Sequence, residues 1–215
     1  MSNFSKNWQK NTDEGVSRKF GGLFRNPPPL KPQIDRGVRE INMLVSRLDQ
    51  TEAKIKARDE SIFKHVVSAT QKGDRAHATI YANELSEIRK VGQMVTGAKL
   101  ALEQVVLRLT TLTDLGDIAA TLAPTIAVVR SVGQGLGNLL PNAQGEINEI
   151  SSLLSSTLVE AGSVGGISLN FEVANEEARR VLEEAEIVAE QRMTETFPEI
   201  PALVQREPEE EGLAI

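Results

Sequence analysis

Apolar residues recur every seven positions along two consecutive stretches of this chain, and no other feature constrains the fold as strongly. A second series fills the intermediate position of the first stretch, except at Glu52 and Asp59. The two series are Ile34, Ile41, Leu48, Ile55, Ile62 and Ala69, and Val38, Val45 and Val66. A heptad repeat gives a helix one narrow apolar seam. The first stretch therefore predicts a helix that begins near Gln33, just after Pro32, and extends for about 60 Å.

The second stretch repeats the pattern and predicts a second long helix. Its two series are Tyr81, Ile88, Val95, Leu102 and Leu109, and Val91, Ala98, Val105 and Leu112. Between the stretches, Gly73 is a stop signal and Asp74 a suitable N-cap. We predict an antiparallel hairpin of helices over 33–72 and 74–113. Its narrow seam leaves charged faces free, and the periodicity alone fits either a plain coiled-coil bundle or a subunit that stacks on neighbours.

A more apolar stretch over residues 114–141 follows the hairpin and predicts a hinge. Pro124 is expected to kink or break a helix there. Gly133, Gly135 and Gly137 favour a break through their backbone freedom. The sequence Gly-Gln-Gly-Leu-Gly at these positions superficially suggests a nucleotide loop, but no strand precedes it, as a dinucleotide fingerprint would require.

Two shorter helices are predicted beyond the hinge. Residues 142–161 form an amphipathic helix, with Ile147, Ile150, Leu154 and Leu158 on one face. Asn175, followed by two glutamates, is a favourable start for a helix that ends near Thr196. Residues 172–196 contain eight acidic and three basic residues, a net charge of −5. Together these patterns predict an all-α fold.

The N-terminal 31 residues differ from the rest in composition. They hold four of the eight aromatic residues of the chain among basic and glycine residues. Cationic residues beside aromatic and leucine side chains are typical of segments that lie on a membrane surface. The candidate membrane-binding residues are Phe4, Trp8, Arg18, Lys19, Phe20, Leu23, Phe24 and Arg25. A tail that packs on the core or has no function remains the alternative.

Charge is divided unevenly along the chain. Residues 1–112 carry 19 basic and 12 acidic residues, a net charge of +7, whereas residues 113–215 carry 5 and 18, a net charge of −13. The two halves can attract each other, and the basic half suits an anionic partner. We expect that partner to be a membrane and not nucleic acid, because no recognition motif accompanies the diffuse charge.

The sequence contains no pattern that indicates catalysis, a metal site or a cofactor. The only histidines, His65 and His77, lack metal-ligand spacing, and the chain has no cysteine. No run of 18 apolar residues predicts a membrane span, and no apolar N-terminal region predicts a secretory signal. We therefore expect a non-enzymatic, cytoplasmic protein without a metal site or cofactor.

The order and charge polarity of these features resemble ESCRT-III proteins, and most closely archaeal cell-division proteins of the CdvB type. The resemblance covers nearly the whole chain. Its most motif-like part is Phe197-Pro198-Glu199-Ile200-Pro201-Ala202-Leu203, which looks like the type 2 MIT-interacting motif, with Phe197 in place of the usual leucine. The resemblance implies that Phe197, Pro198, Glu199, Ile200, Pro201 and Leu203 bind the MIT domain of a AAA ATPase.

The resemblance also implies a division of the chain into three parts. Residues 1–31 would form the membrane-binding segment and residues 32–161 the helical core. Residues 162–215 would hold a linker, an acidic regulatory helix that folds back on the basic hairpin, and the MIT-interacting tail. Only twelve residues follow Leu203, too few for the C-terminal winged helix of some CdvB proteins, so we expect a shorter paralogue.

The implied function is structural. Such a subunit would polymerise with itself and with paralogous subunits on the inner face of the cell membrane, on anionic lipids. It would drive constriction and scission at the division site, and the ATPase would disassemble the filament. The alternative is a soluble coiled-coil scaffold or adaptor without membrane activity.

Overall fold

The computed structural model describes residues 30–112, 118–137, 139–165 and 171–200. Five helices account for nearly all of these residues: α1 (Leu30–Gln71), α2 (Arg75–Thr110), α3 (Ile118–Leu136), α4 (Pro141–Gly165) and α5 (Phe171–Thr196). No strand occurs within the described ranges. The expectation of an all-α fold with a long helical hairpin is confirmed.

Helices α1 and α2 form the antiparallel hairpin, and a tight turn joins them. Gly73 has a φ of 72°, a left-handed conformation that glycine adopts without steric cost. Asp74 caps α2 by accepting a hydrogen bond from the backbone N–H of His77 at 3.1 Å. That hydrogen bond, with a second from the His77 ring, lowers the pKa of Asp74. Helix α1 begins at Leu30, three residues before the predicted start at Gln33. Pro32 lies in the first helical turn, where a proline removes no intrahelical hydrogen bond.

The heptad seam becomes the core of the hairpin, in two parts. Near the turn, Ile62, Val66, Ala82 and Leu85 form a small cluster of their own. Towards the open end, the seam joins a larger core to which α3, α4 and α5 also contribute. The largest fully buried side chains of that core include Ile41, Leu44, Leu48, Leu102, Ile118, Leu122, Leu136, Ile147, Ile150 and Leu154. The narrow seam therefore needs the later helices to complete its burial.

Helix α3 is continuous through Pro124 and also through Gly133 and Gly135, which differs from the break expected at those positions. A Cβ added at Gly133 would lie 2.6 Å from Cγ2 of Ile147 on α4. This glycine therefore permits a close approach of α3 and α4. Whether the segment acts as a hinge during assembly stays a prediction.

Helices α4 and α5 are both longer than predicted. Helix α4 starts at Pro141, where a proline is well tolerated, and packs against α1 and α3. Helix α5 starts at Phe171, one turn before the predicted Asn175, ends at Thr196 as predicted, and packs against α2 and α3. The C-terminal helix therefore lies along the hairpin.

Candidate docking site for the C-terminal segment

Helix α5 approaches α2 closely because glycines on α2 face small or flexible side chains on α5. A Cβ at Gly97 would lie 3.7 Å from Cβ of Ala189. A Cβ at Gly92 would lie 3.0 Å from Cε of Met193 and 3.2 Å from Cγ2 of Ile55. The face of α5 that turns inward is made mostly of alanine: Ala174, Ala178, Val181, Ala185 and Ala189 are all buried. Two surfaces of small residues thus allow the helices to pack at short range.

A buried ion pair between the two hairpin helices lies beneath the end of α5. The side chain of Asp59 is 1% exposed and that of Arg89 is 18% exposed. Nε of Arg89 donates to Oδ1 of Asp59 at 2.6 Å, and Nη2 donates to Oδ2 at 3.3 Å. Both carboxylate oxygens are therefore satisfied by one guanidinium group, the geometry that makes arginine–carboxylate pairs strong and directional.

The same guanidinium group also holds the segment that follows α5. Nη1 of Arg89 donates to the carbonyl oxygen of Pro198 at 2.8 Å. The Arg89 Cζ atom lies 5.4 Å from the ring centroid of Phe197, within the range of a cation–π interaction. Ile200 packs against the apolar cluster near the hairpin turn. Arg89 therefore joins α1, α2 and the C-terminal segment at one point.

A second polar cluster lies around Glu52, seven residues before Asp59 on α1 and the other charged residue in the apolar seam. Oγ1 of Thr96 donates to Glu52 at 2.9 Å, and Nζ of Lys99 lies 2.9 Å from Glu52 and 2.6 Å from Asp49. Burial acts to lower the pKa of Lys99, but its hydrogen bonds to Asp49 and Glu52 outweigh burial and raise that pKa. A cavity of about 330 Å³ separates this cluster from Met193 and Phe197.

Near its start, α5 is attached to the hairpin by charge. Arg108, near the end of α2, forms an ion pair with Glu177 of α5. Both side chains are more than a third exposed, so solvent screening keeps this contribution small. Helix α5 is thus held by an exposed ion pair near its start, close packing along its length and the Arg89 interactions beyond its end.

Comparison with known proteins identifies the family. The chain is 37% identical to Cell division protein B1 of Sulfolobus acidocaldarius over 199 residues, covering 93% of this chain and 90% of that protein. It is 29% identical to Cell division protein B of the same organism over 187 residues, covering 85% of this chain and 72% of that protein. The chain belongs to the CdvB-type ESCRT-III family. It has a role in cell division. No protein-family model and no solved structure matches it.

Four of the six residues that the resemblance assigns to MIT binding are described in this CdvB-type chain. Phe197 and Ile200 are half-buried on the hairpin, whereas Pro198 and Glu199 are exposed. Pro201 and Leu203 lie outside the described residues, as do all eight candidate membrane-binding residues of the N-terminal segment. Their assignments stay predictions.

The contacts that the sequence did not predict involve Asp59, Arg89, Gly92 and Gly97. The interruption of the seam at Glu52 and Asp59 was the available signal, because a charged residue in a heptad seam needs a partner. The glycines of α2 carried no signal, since their role depends on which helix packs against them.

The described ranges contain no group of three or more metal-ligating side chains. His65 and His77 instead flank Tyr81 near the hairpin turn, with ring centroids 5.3 and 6.4 Å from that of the tyrosine. None of the described helices is long and apolar enough to cross a membrane.

Proposed function

We propose that this CdvB-type chain is a filament subunit that polymerises on the cytoplasmic face of the cell membrane and drives constriction and scission in cell division. In this proposal the subunit performs no chemistry of its own, and a AAA ATPase disassembles the filament. The observation that carries the proposal is the position of α5 and the Phe197–Ile200 segment, which cover one side of α2. Covering that surface is what an assembly subunit requires in order to stay a monomer until it is recruited.

Two observations support a closed arrangement, in which α5 stays packed on the hairpin. Because α5 packs closely against Gly92 and Gly97, a neighbouring subunit cannot occupy this face of α2 while α5 is bound. The acidic charge of α5 also complements the basic charge of the hairpin. We infer that release of α5 exposes α2 to neighbouring subunits. A chain that ends near Gly166 is expected to polymerise at lower concentration than the full chain, as measured by sedimentation. Equal assembly of the two proteins would contradict this control by α5.

Release of the same segment would present its apolar side chains to the ATPase. Proline restricts its own φ and biases the residue before it towards extended geometry, so the segment is partly preorganised for binding in a groove. Phe197, Ile200 and Leu203 recur every three residues, as suits one side of an extended ligand. Two of these three already make contacts within the chain, Phe197 with the Arg89 guanidinium group and Ile200 with an apolar cluster, which supports their use as binding side chains.

Membrane attachment is assigned to the N-terminal segment. Its basic residues would contribute about 1 kcal/mol each near an anionic surface, and its aromatic residues would enter the acyl boundary. Deletion of residues 1–26 is expected to abolish binding to anionic liposomes at moderate salt, as measured by co-sedimentation. Two matched variants separate the contributions: Phe20, Leu23 and Phe24 changed to serine, and Arg18, Lys19 and Arg25 changed to glutamine.

The liposome experiment also separates this proposal from a soluble scaffold or adaptor. A filament subunit binds liposomes through the N-terminal segment and produces ordered polymers on them in electron micrographs. A soluble scaffold does not bind liposomes, either as the full chain or without residues 1–26. Binding that is equal with and without residues 1–26 would overturn the assignment of the segment.

A further inference from the structure

A polar groove between α3 and α4 lies away from the docking site of the C-terminal segment. It has a volume of about 460 Å³, within the range of small-ligand sites. Seven of its eight lining side chains are polar: Arg130, Gln134, Gln144, Asn148, Ser151, Ser152 and Ser155, with Ile147 as the eighth. No carboxylate lines it, although the C-terminal half of the chain is strongly acidic.

Arg130 gives the groove its charge. It is the only basic residue between positions 113 and 178. Among the described residues, no carboxylate lies within ion-pair distance of Arg130, and Nη2 makes one long hydrogen bond, 3.3 Å, to Oγ of Ser155. Two glutamates of α4 point elsewhere: Glu146 pairs with Arg47, and Glu160 accepts a hydrogen bond from Gln33. The guanidinium group is therefore available to an anion.

Ser151 adds an unsatisfied donor. Its residue is 8% exposed, and its Oγ atom is buried without a hydrogen-bond partner among the described residues. Ser156 and Thr157, on the same helix, donate to the carbonyl oxygens four residues earlier at 2.8 Å, whereas Ser151 does not. A buried hydroxyl without a partner costs free energy. Ser151 lines the groove, and a change of its side-chain rotamer would let the hydroxyl donate to a ligand bound there.

The walls of the groove depend on two glycines of the apolar stretch. A Cβ at Gly133 would lie 2.6 Å from Cγ2 of Ile147, and one at Gly137 would lie 2.8 Å from Oε1 of Gln144. Ile147 and Gln144 both line the groove. The close approach of α3 and α4 thus brings Arg130 and Gln134 on one helix opposite amide and hydroxyl side chains on the other.

We propose that this groove binds a phosphate ester that carries free hydroxyl groups, either as a soluble molecule or as a lipid headgroup. Arg130 and the serine hydroxyls donate to the phosphate oxygens, since charge-assisted hydrogen bonds to phosphate are the strong ones. Gln134, Gln144 and Asn148 bind the hydroxyl groups, because amides both donate and accept. The bound ligand bridges α3 and α4 and holds them together. This proposal is independent of membrane attachment through the N-terminal segment.

Calorimetry on the full chain tests the soluble form of the ligand. The probes are glycerol 3-phosphate and inositol 1-phosphate, with glycerol and inositol as controls that lack the phosphate. Saturable binding of a phosphorylated probe is expected, with at least a tenfold loss in affinity on Arg130→Gln and a smaller loss on Ser151→Ala. Arg179→Gln removes an equal charge from the exposed face of α5 and is expected to leave the affinity unchanged.

Vesicles that contain phosphatidylinositol test the headgroup form. Co-sedimentation of the Arg130→Gln and Arg179→Gln proteins is compared at equal net charge, so that a difference reports the groove alone. A lower bound fraction for Arg130→Gln identifies a lipid headgroup, and an effect confined to calorimetry identifies a soluble ester. If neither probe nor vesicle distinguishes Arg130→Gln from Arg179→Gln, the proposal is wrong.

Discussion

Arg89 shows how one side chain can connect parts of the chain that are distant in sequence. Its guanidinium group satisfies Asp59 on α1, donates to Pro198 and lies over Phe197. Asp59 breaks an otherwise apolar seam, so its burial depends on that single partner. The residue-scale predictions concern this pair and the neighbouring Lys99 cluster.

Changing Arg89 to methionine is expected to destabilise the protein by roughly 3–5 kcal/mol, because it leaves a buried carboxylate without compensation. The double variant Asp59→Leu with Arg89→Met removes both charges and is expected to recover most of the loss. Urea unfolding measures both effects. A single variant within about 1 kcal/mol of wild type, below the cost of an uncompensated buried charge, would show that Asp59 does not depend on Arg89.

The stabilising contribution of Lys99 is expected to depend on pH in the alkaline range. Its pKa is raised above the ordinary value of 10.5, so the charged form is favoured by folding. The contribution is therefore fully present below pH 10.5 and is lost as the pH rises through the higher folded-state pKa. The difference in unfolding free energy between wild type and Lys99→Met should be constant below pH 10.5 and shrink above it.

At the scale of the helices, the heptad pattern predicted the hairpin because a period of seven specifies a helix and its buried stripe directly. Leu30 and Phe171 mark helix starts that local signals placed a few residues later. The α1 start includes Pro32, which is tolerated in a first turn. The docking of α5 was expected from charge, but its contacts with α2 also include Ala189 and Met193 packed against glycines of α2. Small residues carry no periodic signal, and for that reason Gly92 and Gly97 could not be predicted.

Gly97→Leu is expected to displace α5 from the hairpin. A Cβ at this position fits at 3.7 Å from Ala189, but the further atoms of leucine have no room. Gly97→Ala is the matched control: it should keep α5 in place and stabilise α2 by roughly 1 kcal/mol through helix propensity. Hydrogen exchange over residues 178–196 distinguishes the two. Protection of α5 that is equal in the leucine and alanine variants would contradict close packing at this position.

The glycines of α3 are expected to act in different ways. Gly135 has no atom within 4 Å of an added Cβ, so Gly135→Ala should stabilise α3 by about 0.5–1 kcal/mol. Gly133→Ala must displace Ile147 and should separate α3 from α4. Spin-label distances between the two helices measure the separation, and thermal unfolding measures the stability. If Gly135→Ala and Gly133→Ala had similar effects, the proposed packing role of Gly133 between α3 and α4 would be wrong.

For the whole molecule, the chain binds its own C-terminal segment on the surface that we propose for assembly. Three of the residues that the resemblance assigns to MIT binding, Phe197, Pro198 and Ile200, contact the hairpin. The proposed binding to an MIT domain would therefore use side chains that also hold the segment on the hairpin. This overlap predicts competition between the two.

A peptide spanning residues 190–210 is expected to bind a cognate MIT domain more tightly than the full chain does, because the full chain must first release the segment. Ile200→Asp should weaken peptide binding at least tenfold, since it removes the burial of one large aliphatic side chain. Glu210→Ala should change little. Calorimetry compares the four affinities. Equal affinities of peptide and full chain would exclude competition, and undetectable peptide binding would remove the ATPase from the proposed function.

The attachment of α5 through a linker of a few residues after α4 has a consequence for concentration. A tethered segment meets its site at an effective concentration that is typically millimolar for short flexible linkers, and this value does not change with the amount of protein in the cell. Encounters between two subunits do depend on that amount. If the proposed function holds, dilute chains would retain their own C-terminal segment. Accumulation of many chains on a small area would raise the concentration of competing subunits above the effective concentration of the segment. Assembly would then start only above a local threshold concentration.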